Sequence, residues 1–389
     1  MFIKKIINKI INYNKFSIYR NVLTLYPPKN IFPKKNYKGY MLLSYLTLPF
    51  YKKDDDPIFK THSNNWECVQ IANTFLELGY VVDVIMFNNL NYIPKKKYKV
   101  FIDLGYNIER MYSLLNKDCV KIFHITGSHW LDNNMAEYQR LAELRKRRNM
   151  ILLPRALSKS EYGIEYADMA TALGNKYTID TYKYQGKKIY RIPISSNIEY
   201  DFPENKDVEN VKKRYLWLGS VGSVHRGLDL VLEAFYNLPD YELIICGPIK
   251  EESDFEKIYY KELYETKNIK TIGWIDVTSS QFKKITDNCV GIIYPSCAEG
   301  GGGSVVTCMH AGLIPIVSYE SSVDVEDFGF ILKENTIDEI VKTIKLVSSL
   351  GINDLKERSF RTWEFARKNH TREKFKLEYR KFVKEILKL

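Results

Sequence analysis

The sequence predicts an α/β protein made of two doubly wound, Rossmann-like parallel-sheet domains that face each other across a cleft. The chain has 389 residues, which exceeds what one hydrophobic core usually organises and fits two domains of about 150–200 residues each. Apolar, strand-like segments alternate with helical segments twice along the chain, as is typical of parallel sheets covered on both faces. A polar stretch, residues 197–214, separates the two runs.

These observations divide the chain into five parts. They are a basic N-terminal extension (1–38), an N-terminal domain (39–200), a linker (201–214), a C-terminal domain (215–350) and terminal helices (351–389). A return of the terminal helices to the N-terminal domain is one arrangement that this order allows.

The first run of elements begins with a buried strand and a helix that stops at a glycine. Strands are predicted at 39–50, 80–87, 98–105, 119–127, 151–157, 167–174 and 189–196, and helices at 66–79 and 136–149. The second run repeats the alternation, with strands at 215–222, 241–248, 269–275, 290–296 and 313–318 and helices at 227–238, 255–266, 279–289, 353–369 and 372–389. Ligands bind such sheets at the carboxyl ends of their strands.

Composition leaves three classes of partner open. The net charge of +11 fits nucleic acid, an anionic membrane surface or phosphorylated small molecules. Because the basic residues are scattered and form no arginine-rich arm, we expect no nucleic acid partner. The six cysteines form no CxxC pair and the six histidines form no ligand pair, so we expect reduced thiols and no metal site.

The N-terminal residues suggest a surface helix. Apolar and basic positions segregate over residues 2–11 as on a basic amphipathic helix, which either packs on its own domain or lies on an anionic membrane. We find no secretory signal and no apolar segment long enough to span a bilayer. The expected location is therefore cytoplasmic, with peripheral attachment to the inner face of the membrane as the alternative.

A run of four glycines is the strongest chemical signal. Glu299 precedes Gly300, Gly301, Gly302 and Gly303, which lie between a buried strand and a helix. Such a loop exposes backbone N–H groups at the positive end of a helix, where phosphate binds well. A carboxylate is unfavourable beside phosphate unless it accepts hydrogen bonds from neighbouring hydroxyls. A nucleotide-diphosphate sugar offers both groups.

A second glycine loop follows the first strand of the C-terminal domain. Gly219 and Gly222 precede a helix, and His225 and Arg226 lie just before that helix begins. A cation at this place can hold a diphosphate together with the helix N-terminus. The spacing departs from the tight GxGxxG pattern, and taken alone it would suit dinucleotide binding equally well.

Together these segments resemble the C-terminal domain of GT-B glycosyltransferases, in particular the retaining family-four group (group 1 type). The resemblance extends over residues 215–329 and rests on Pro295-Ser296, Glu299-Gly300-Gly301-Gly302, Ala311-Gly312, Pro315, Gly219-Ser220, Arg226-Gly227, Ile244–Pro248 and Ile272–Ile275.

The resemblance implies a role for each matching residue. Glu299 would hold a donor-sugar hydroxyl, Arg226 would neutralise the leaving diphosphate, and Trp274 and Ile275 would border the nucleobase. The other implied donor-binding residues are Gly219, Ser220, Gly222, His225, Gly247, Gly300, Gly301, Gly302, Gly303, Ser304 and Thr307. The family transfers hexosyl or related sugars with retention, without a metal and without a cofactor besides the donor.

Two positions depart from the family pattern. Ser220 stands where the family has a diphosphate-binding arginine, and Thr307 stands where it has a ribose-binding glutamate. Both departures leave open a catalytically weak relative that binds nucleotide-sugar or glycan.

Residues of the N-terminal domain complete the predicted site. His129 lies just past a strand, on the ligand side of the sheet, and is the candidate catalytic histidine, whereas His124 lies within the strand and reads as core. His62, Ser63 and Asn64 occupy the first loop, where an acceptor would enter.

The resulting hypothesis is a glycosyltransferase of polysaccharide biosynthesis. It would move a sugar from a nucleotide-diphosphate sugar to a glycan, lipid-linked or other cell-surface acceptor. An NAD-dependent oxidoreductase is a further alternative, because Glu242 lies 20 residues after Gly222, the separation at which dinucleotide folds place a ribose-binding acid.

Overall fold

Two parallel sheets with helices on both faces confirm the predicted fold class. The structure, a computed structural model, describes residues 27–34 and 37–389. The predicted amphipathic helix at residues 2–11 lies outside the described residues.

The N-terminal sheet has seven strands in the order β1-β3-β2-β4-β5-β6-β7. Only β1 runs antiparallel, along β3, and the other neighbours are parallel. The strands are β1 Lys29–Ile31, β2 Gly39–Tyr45, β3 Tyr80–Met86, β4 Tyr98–Asp103, β5 Val120–Ile125, β6 Met169–Ala172 and β7 Ile189–Arg191. Strand β1 belongs to this sheet although it falls in the segment that the sequence assigned to an extension.

The C-terminal sheet has six strands, all parallel, in the order β10-β9-β8-β11-β12-β13. The strands are β8 Arg214–Leu218, β9 Glu242–Cys246, β10 Ile269–Gly273, β11 Gly291–Tyr294, β12 Ile314–Ser318 and β13 Phe330–Leu332. They are buried almost throughout, which explains why they read as near-continuous apolar runs.

Helices cover both faces of each sheet. In the N-terminal half they are α1 Ile58–Thr61, α2 Ser63–Glu77, α3 Ile108–Met111, α4 Trp130–Arg148, α5 Gly163–Tyr166 and α6 Lys176–Thr181. In the C-terminal half they are α7 Val208–Val211, α8 Leu228–Tyr236, α9 Ser253–Ile258, α10 Ser280–Asp287, α11 Gly303–His310, α12 Ile337–Ser349, α13 Ile352–Asn369 and α14 Arg372–Ile386. None of the described helices is long and apolar enough to cross a membrane.

The predicted strand at 151–157 is wrong, because this segment is a loop along helix α4. The backbone N–H of Arg155 donates to Glu137 Oε1 at 2.8 Å, and the side chain of Asn133 donates to the Ala156 carbonyl at 2.8 Å. The backbone groups therefore bind helix side chains instead of a strand. Ile151 is 76% exposed, which a buried strand would not allow.

The last helix returns to the N-terminal domain. Helix α14 packs on α2, where the rings of Trp66 and Phe375 lie 5.9 Å apart and Arg380 pairs with Glu77 at 3.3 Å. The chain thus crosses between the domains twice, and one hydrophobic core runs from Met41 in β2 to Val383 in α14. This double crossing limits how far the domains can separate.

The two domains touch directly at the glycine run. A Cβ atom at Gly300 would overlap the Thr126 carbonyl oxygen and the Gly127 Cα, just past β5. Nearby, the Arg140 guanidinium donates to the Pro295 carbonyl at 2.9 Å. Gly300 therefore allows the C-terminal domain to approach the N-terminal sheet closely.

Gly300→Ala should weaken domain closure. The added methyl group forces the contact with Thr126 and Gly127 apart, and we expect a loss of about 1–3 kcal/mol in the free energy of unfolding, with a larger radius of gyration. Chemical denaturation and small-angle X-ray scattering would measure the two effects. Gly303→Ala is the control, because its nearest neighbour would be Ile194 Cδ1 at 3.6 Å. Equal effects of the two substitutions would refute this role of Gly300.

Candidate active site in the interdomain cleft

A cleft of about 750 Å³ lies between the carboxyl ends of the two sheets. Its walls contain most of the residues that the sequence predicted for a site, although these are spread over more than 240 positions of the chain. The predicted residues that line it are His62, Ser63, Asn64, Gly219, Ser220, Arg226, Gly247, Trp274, Ile275, Glu299, Gly300, Gly301, Gly302, Gly303, Ser304 and Thr307. Three predicted residues, Gly222, His225 and His129, do not line it.

The amide of Gly222 binds a carboxylate of the protein itself. The N–H groups of Gly222 and Ser223 donate to Glu252 Oε1 at 2.7 and 3.0 Å, and the Ser223 hydroxyl donates to the same oxygen at 3.0 Å. The prediction that Gly222 contacts the donor is therefore corrected. Its loop is an anion-binding turn whose anion is Glu252, which sequence reasoning missed.

His225 lies behind the cleft wall and joins the two domains. Its Nδ1 lies 2.6 Å from Glu137 Oε2 on α4, and its Nε2 lies 2.6 Å from the Ala298 carbonyl oxygen. Because the carbonyl and the ionised carboxylate both accept, both ring nitrogens must donate, and the ring is an imidazolium. Burial alone would lower the pKa of His225, but hydrogen bonds to Cys297 and Glu137 raise it to about 10. The predicted contact of His225 with the donor is corrected to a bridge between protein groups.

His129 caps helix α4 instead of facing the cleft. Its Nδ1 accepts the Leu131 N–H at 3.3 Å, and its Nε2 lies 3.4 Å from the Tyr184 hydroxyl. Burial lowers the pKa of His129. His129 is not among the residues that line the cleft, so the predicted catalytic role is corrected to that of a helix cap. His124 is buried and its Nδ1 bonds Thr171 at 2.7 Å, in agreement with its assignment to the core.

Glu299 and Arg226 lie together in the cleft wall. Glu299 Oε1 accepts from the Tyr294 hydroxyl at 2.8 Å and from Ser296 at 3.2 Å, and Arg226 Nε lies 3.6 Å from it. Burial disfavours the guanidinium charge, but Tyr294 and Glu299 outweigh it and raise the pKa of Arg226. These contacts all use Oε1, so Oε2 can accept from a ligand hydroxyl.

The glycine run ends in the first turn of helix α11. Gly302 is its N-cap, with a left-handed backbone at φ 55°, where a side chain would also overlap Val323. The first amides of the helix have no carbonyl one turn earlier to bind, so they can meet an anion in the cleft. Thr307, on the next turn, donates its hydroxyl to the Gly303 carbonyl at 2.8 Å.

An exposed indole forms the outer edge of the cleft. Trp274 follows β10 and is 72% exposed, which is unusual for so large an apolar side chain. Ile275 continues the same wall. A flat aromatic ligand stacked on the indole would remove this surface from water.

Two buried polar residues in the N-terminal wall were missed by the sequence analysis. Tyr45, at the end of β2, and Glu67, on α2, both line the cleft. Burial raises the pKa of Glu67 from its usual 4.5 to about 7, against opposing hydrogen bonds from Ser195. An acid four residues before the buried Ile71 falls on the apolar face of the helix, and that placement was the available signal.

The oxidoreductase alternative loses its main support. Glu242 begins strand β9 and pairs with Lys270 at 2.8 Å, whereas the cleft lies beyond Cys246 at the other end of that strand. The carboxylate is thus at the wrong edge of the sheet for a ribose. The described residues also contain no cluster of His, Cys, Asp or Glu arranged to hold a metal ion.

Glu67→Gln should stabilise the protein at pH 8 and change little at pH 5. A folded-state pKa above the unfolded value means that folding takes up a proton, so the contribution of Glu67 to stability falls as pH rises from 4.5 to about 7. The full shift corresponds to about 3 kcal/mol. Urea denaturation at the two pH values measures it. Glu109→Gln, at an exposed position that takes part in none of the ion pairs among the described residues, is the control. An equal increase in the free energy of unfolding at pH 5 would contradict the conclusion that the charge of buried Glu67 destabilises the protein at high pH.

Comparison with known proteins agrees with this geometry. Residues 201–361 match the family described as glycosyl transferases group 1. No curated protein matches the chain.

Several solved structures share the fold over most of the chain. Sucrose-phosphate synthase from Thermosynechococcus elongatus has 13% sequence identity and a TM-score of 0.61, and the alignment covers 90% of this chain and 99% of that one. HepE from Anabaena, solved with UDP and glucose, has 12% identity and a TM-score of 0.55, and the alignment covers 91% of this chain and 100% of HepE. A glycosyltransferase from Rickettsia africae has 15% identity and a TM-score of 0.52, with 90% and 100% covered. The chain therefore has the GT-B fold, and its residues 201–361, less than half of the chain, match the model of the group 1 glycosyl transferases.

Proposed function

We propose that the protein transfers a hexosyl or related sugar, with retention, from a nucleotide-diphosphate sugar to a hydroxyl of a glycan, lipid-linked or other cell-surface acceptor. The observation that carries this proposal is the pairing of Glu299 with Arg226 at the start of helix α11, in a cleft shared by both domains. Glu299 offers an oxygen that accepts hydrogen bonds from hydroxyls, and Arg226 offers a fixed positive charge. The first turn of α11 adds backbone amides beside them. A nucleotide-diphosphate sugar presents hydroxyls and a diphosphate within one molecule.

The donor would lie along the C-terminal wall. Arg226 and the first amides of α11 meet the diphosphate, Glu299 Oε2 accepts a sugar hydroxyl, and Trp274 covers the base. UDP is the favoured nucleotide, because the structurally similar HepE was solved with UDP and glucose. Charge grows on the diphosphate as the bond to the sugar breaks, and a fixed cation and fixed amides stabilise it in a site that excludes water. This chemistry requires no metal.

The acceptor would enter from the N-terminal wall, past His62, Ser63 and Asn64. Its oxygen forms the new bond to the anomeric carbon as the sugar–phosphate bond breaks. The acceptor proton passes to the leaving phosphate oxygen, so the attack comes from the face that the diphosphate leaves. The anomeric configuration is retained, and His129 is not needed as a base. The closed cleft favours transfer over hydrolysis.

A binding-only relative is the second candidate. Arg226 already donates to the Val221 carbonyl and faces Glu299, and the hydroxyl of Thr307 is used within its own helix. With Ser220 in place of an arginine, the diphosphate finds less positive charge than the family usually offers. Binding of UDP without turnover on a broad acceptor panel would favour this candidate.

A cytoplasmic role in polysaccharide biosynthesis, at the inner face of an anionic membrane, fits a lipid-linked acceptor. Membrane attachment would depend on the amphipathic pattern of residues 2–11, outside the described part of the chain.

Arg226→Ala and Glu299→Gln should each lower the rate of sugar transfer by about 10²–10³-fold, because each removes a group that binds the reacting donor. The measurement is release of UDP from UDP-glucose and other UDP-sugars with a panel of glycan acceptors. Arg145→Ala, on the exposed face of α4, is the control and should keep the wild-type rate. Near-normal rates in both site variants would show that the reaction takes place elsewhere.

Trp274→Ala should weaken nucleotide binding and leave folding intact. Stacking of a base on an aromatic ring contributes about 1–3 kcal/mol, so the Kd for UDP should rise about five- to hundred-fold. Isothermal titration calorimetry with UDP, GDP and ADP would measure the effect and identify the base. Tyr260→Ala, another exposed aromatic residue that does not line the cleft, should leave the Kd unchanged. An unchanged Kd in Trp274→Ala would remove the indole from the base site.

A further inference from the structure

We propose that Glu67 and Tyr45 form a subsite that binds a hydroxyl group of the acceptor, in the N-terminal wall of the cleft. The inference rests on the proposed transfer reaction and adds to it the part of the site that selects the acceptor. Its ligand is a neutral, polyhydroxylated sugar.

The fold holds the two residues side by side. Tyr45 ends strand β2, and Glu67 lies in the first turns of α2. The Cys68 thiol lies 3.8 Å from the Leu46 carbonyl, so the residues next to Glu67 and Tyr45 are in contact. Both side chains line the cleft, yet Glu67 is fully buried and Tyr45 nearly so.

The protein leaves one polar atom of each side chain unpaired. Glu67 Oε1 accepts from the N–H and the hydroxyl of Ser195, both at 2.8 Å. By distance and angle, Glu67 Oε2 and the Tyr45 hydroxyl have no hydrogen-bond partner among the described residues, although the Ser63 side chain lies close enough to lower the pKa of Glu67. Buried polar groups are nearly always paired, and leaving one unpaired is unfavourable. Such a cost at a cleft wall points to a ligand that completes the bonding.

No cation neutralises the carboxylate. Arg372 lowers the pKa of Glu67, but its guanidinium donates to the Phe59 carbonyl and lies over the Trp66 ring, 5.1 Å from the centroid. None of the ion pairs among the described residues includes Glu67. A structural ion pair therefore does not explain why an acid is buried here.

The two unpaired atoms together select a hydroxyl. Glu67 Oε2 accepts a hydrogen bond when ionised, and the Tyr45 phenol can donate one. A hydroxyl group donates and accepts at once, so it satisfies both. Above about pH 7, where Glu67 is ionised, a phosphate or carboxylate would face its negative charge, and at any pH an ammonium group could not accept from Tyr45. A site with buried polar groups of this kind discriminates strongly against an analogue that lacks the hydroxyl.

The subsite adjoins the predicted position of the donor sugar. Ser195, which binds Glu67, follows Ile194 in the chain, and a Cβ at Gly301 would lie 3.4 Å from the Ile194 side chain. One short segment thus touches the glycine run on one side and Glu67 on the other. A hydroxyl held by Glu67 would place the acceptor beside the sugar that Glu299 holds.

The test measures binding of simple glycosides to the full chain saturated with UDP. Saturation-transfer NMR would compare methyl hexopyranosides of glucose, galactose and mannose with their singly deoxygenated analogues. We expect the wild type to bind at least one parent glycoside and to lose at least tenfold in affinity for one deoxy analogue. In Glu67→Gln and Tyr45→Phe that penalty should shrink below threefold, while the Kd for UDP stays within twofold of wild type. Glu77→Gln is the matched control and should behave as wild type.

Each outcome bears on the inference separately from the transfer reaction. An undiminished deoxy penalty in both variants would overturn the subsite, as would a UDP-saturated wild type that binds none of the glycosides, since the unpaired atoms would then serve internal water. Failure of UDP to bind would instead contradict the proposed function. Because Tyr45→Phe removes only an oxygen, it keeps the test decisive if Glu67→Gln folds poorly.

Discussion

The charged ring of His225 is the interaction on which the site depends. It holds Glu137 of the N-terminal domain on one side and the Ala298 carbonyl, next to Glu299, on the other. Its own carbonyl accepts the Cys297 N–H at 2.9 Å. The ring thereby fixes the glycine run, the loop that carries Arg226 and helix α4 with respect to one another. A neutral ring could donate only one of the two bonds, so loss of the proton would free one wall of the cleft.

This arrangement explains why the glycine run serves two purposes. Gly300 permits contact between the domains, whereas Gly302 adopts the left-handed turn that opens helix α11 toward the cleft. The same loop thus joins the domains and presents amides to a ligand. Thr178, from the N-terminal domain, also donates to the Glu299 carbonyl at 2.9 Å. Because both domains position Glu299, the site is complete only when the domains are closed. Opening of the domains would allow substrates to enter.

The sequence was sufficient for the fold and for bringing the two glycine loops to one cleft, for a physical reason. Buried parallel strands form apolar runs in the sequence, and glycines just after such a run must lie at the carboxyl edge of the sheet. This edge is where the structure has Glu299, in the cleft wall. The sequence was insufficient where a side chain meets a distant partner. Glu252 binds the amides of Gly222 and Ser223, and Glu137 binds the ring of His225. Both carboxylates come from distant elements, so the local sequence assigned Gly222 and His225 to the donor instead. Whether a histidine after a strand faces the ligand or caps the next helix, as His129 does, depends on ring direction, which spacing does not encode.

The state of the His225 ring tests this account most directly. Nitrogen-15 NMR of the protein labelled in histidine should show both ring nitrogens of His225 protonated at pH 8, with a titration midpoint near pH 10. Assignment follows from the loss of that signal in His225→Gln. A ring with one protonated nitrogen at pH 7, titrating near the ordinary histidine value of 6.5, would contradict the charged bridge and the closed cleft that depends on it.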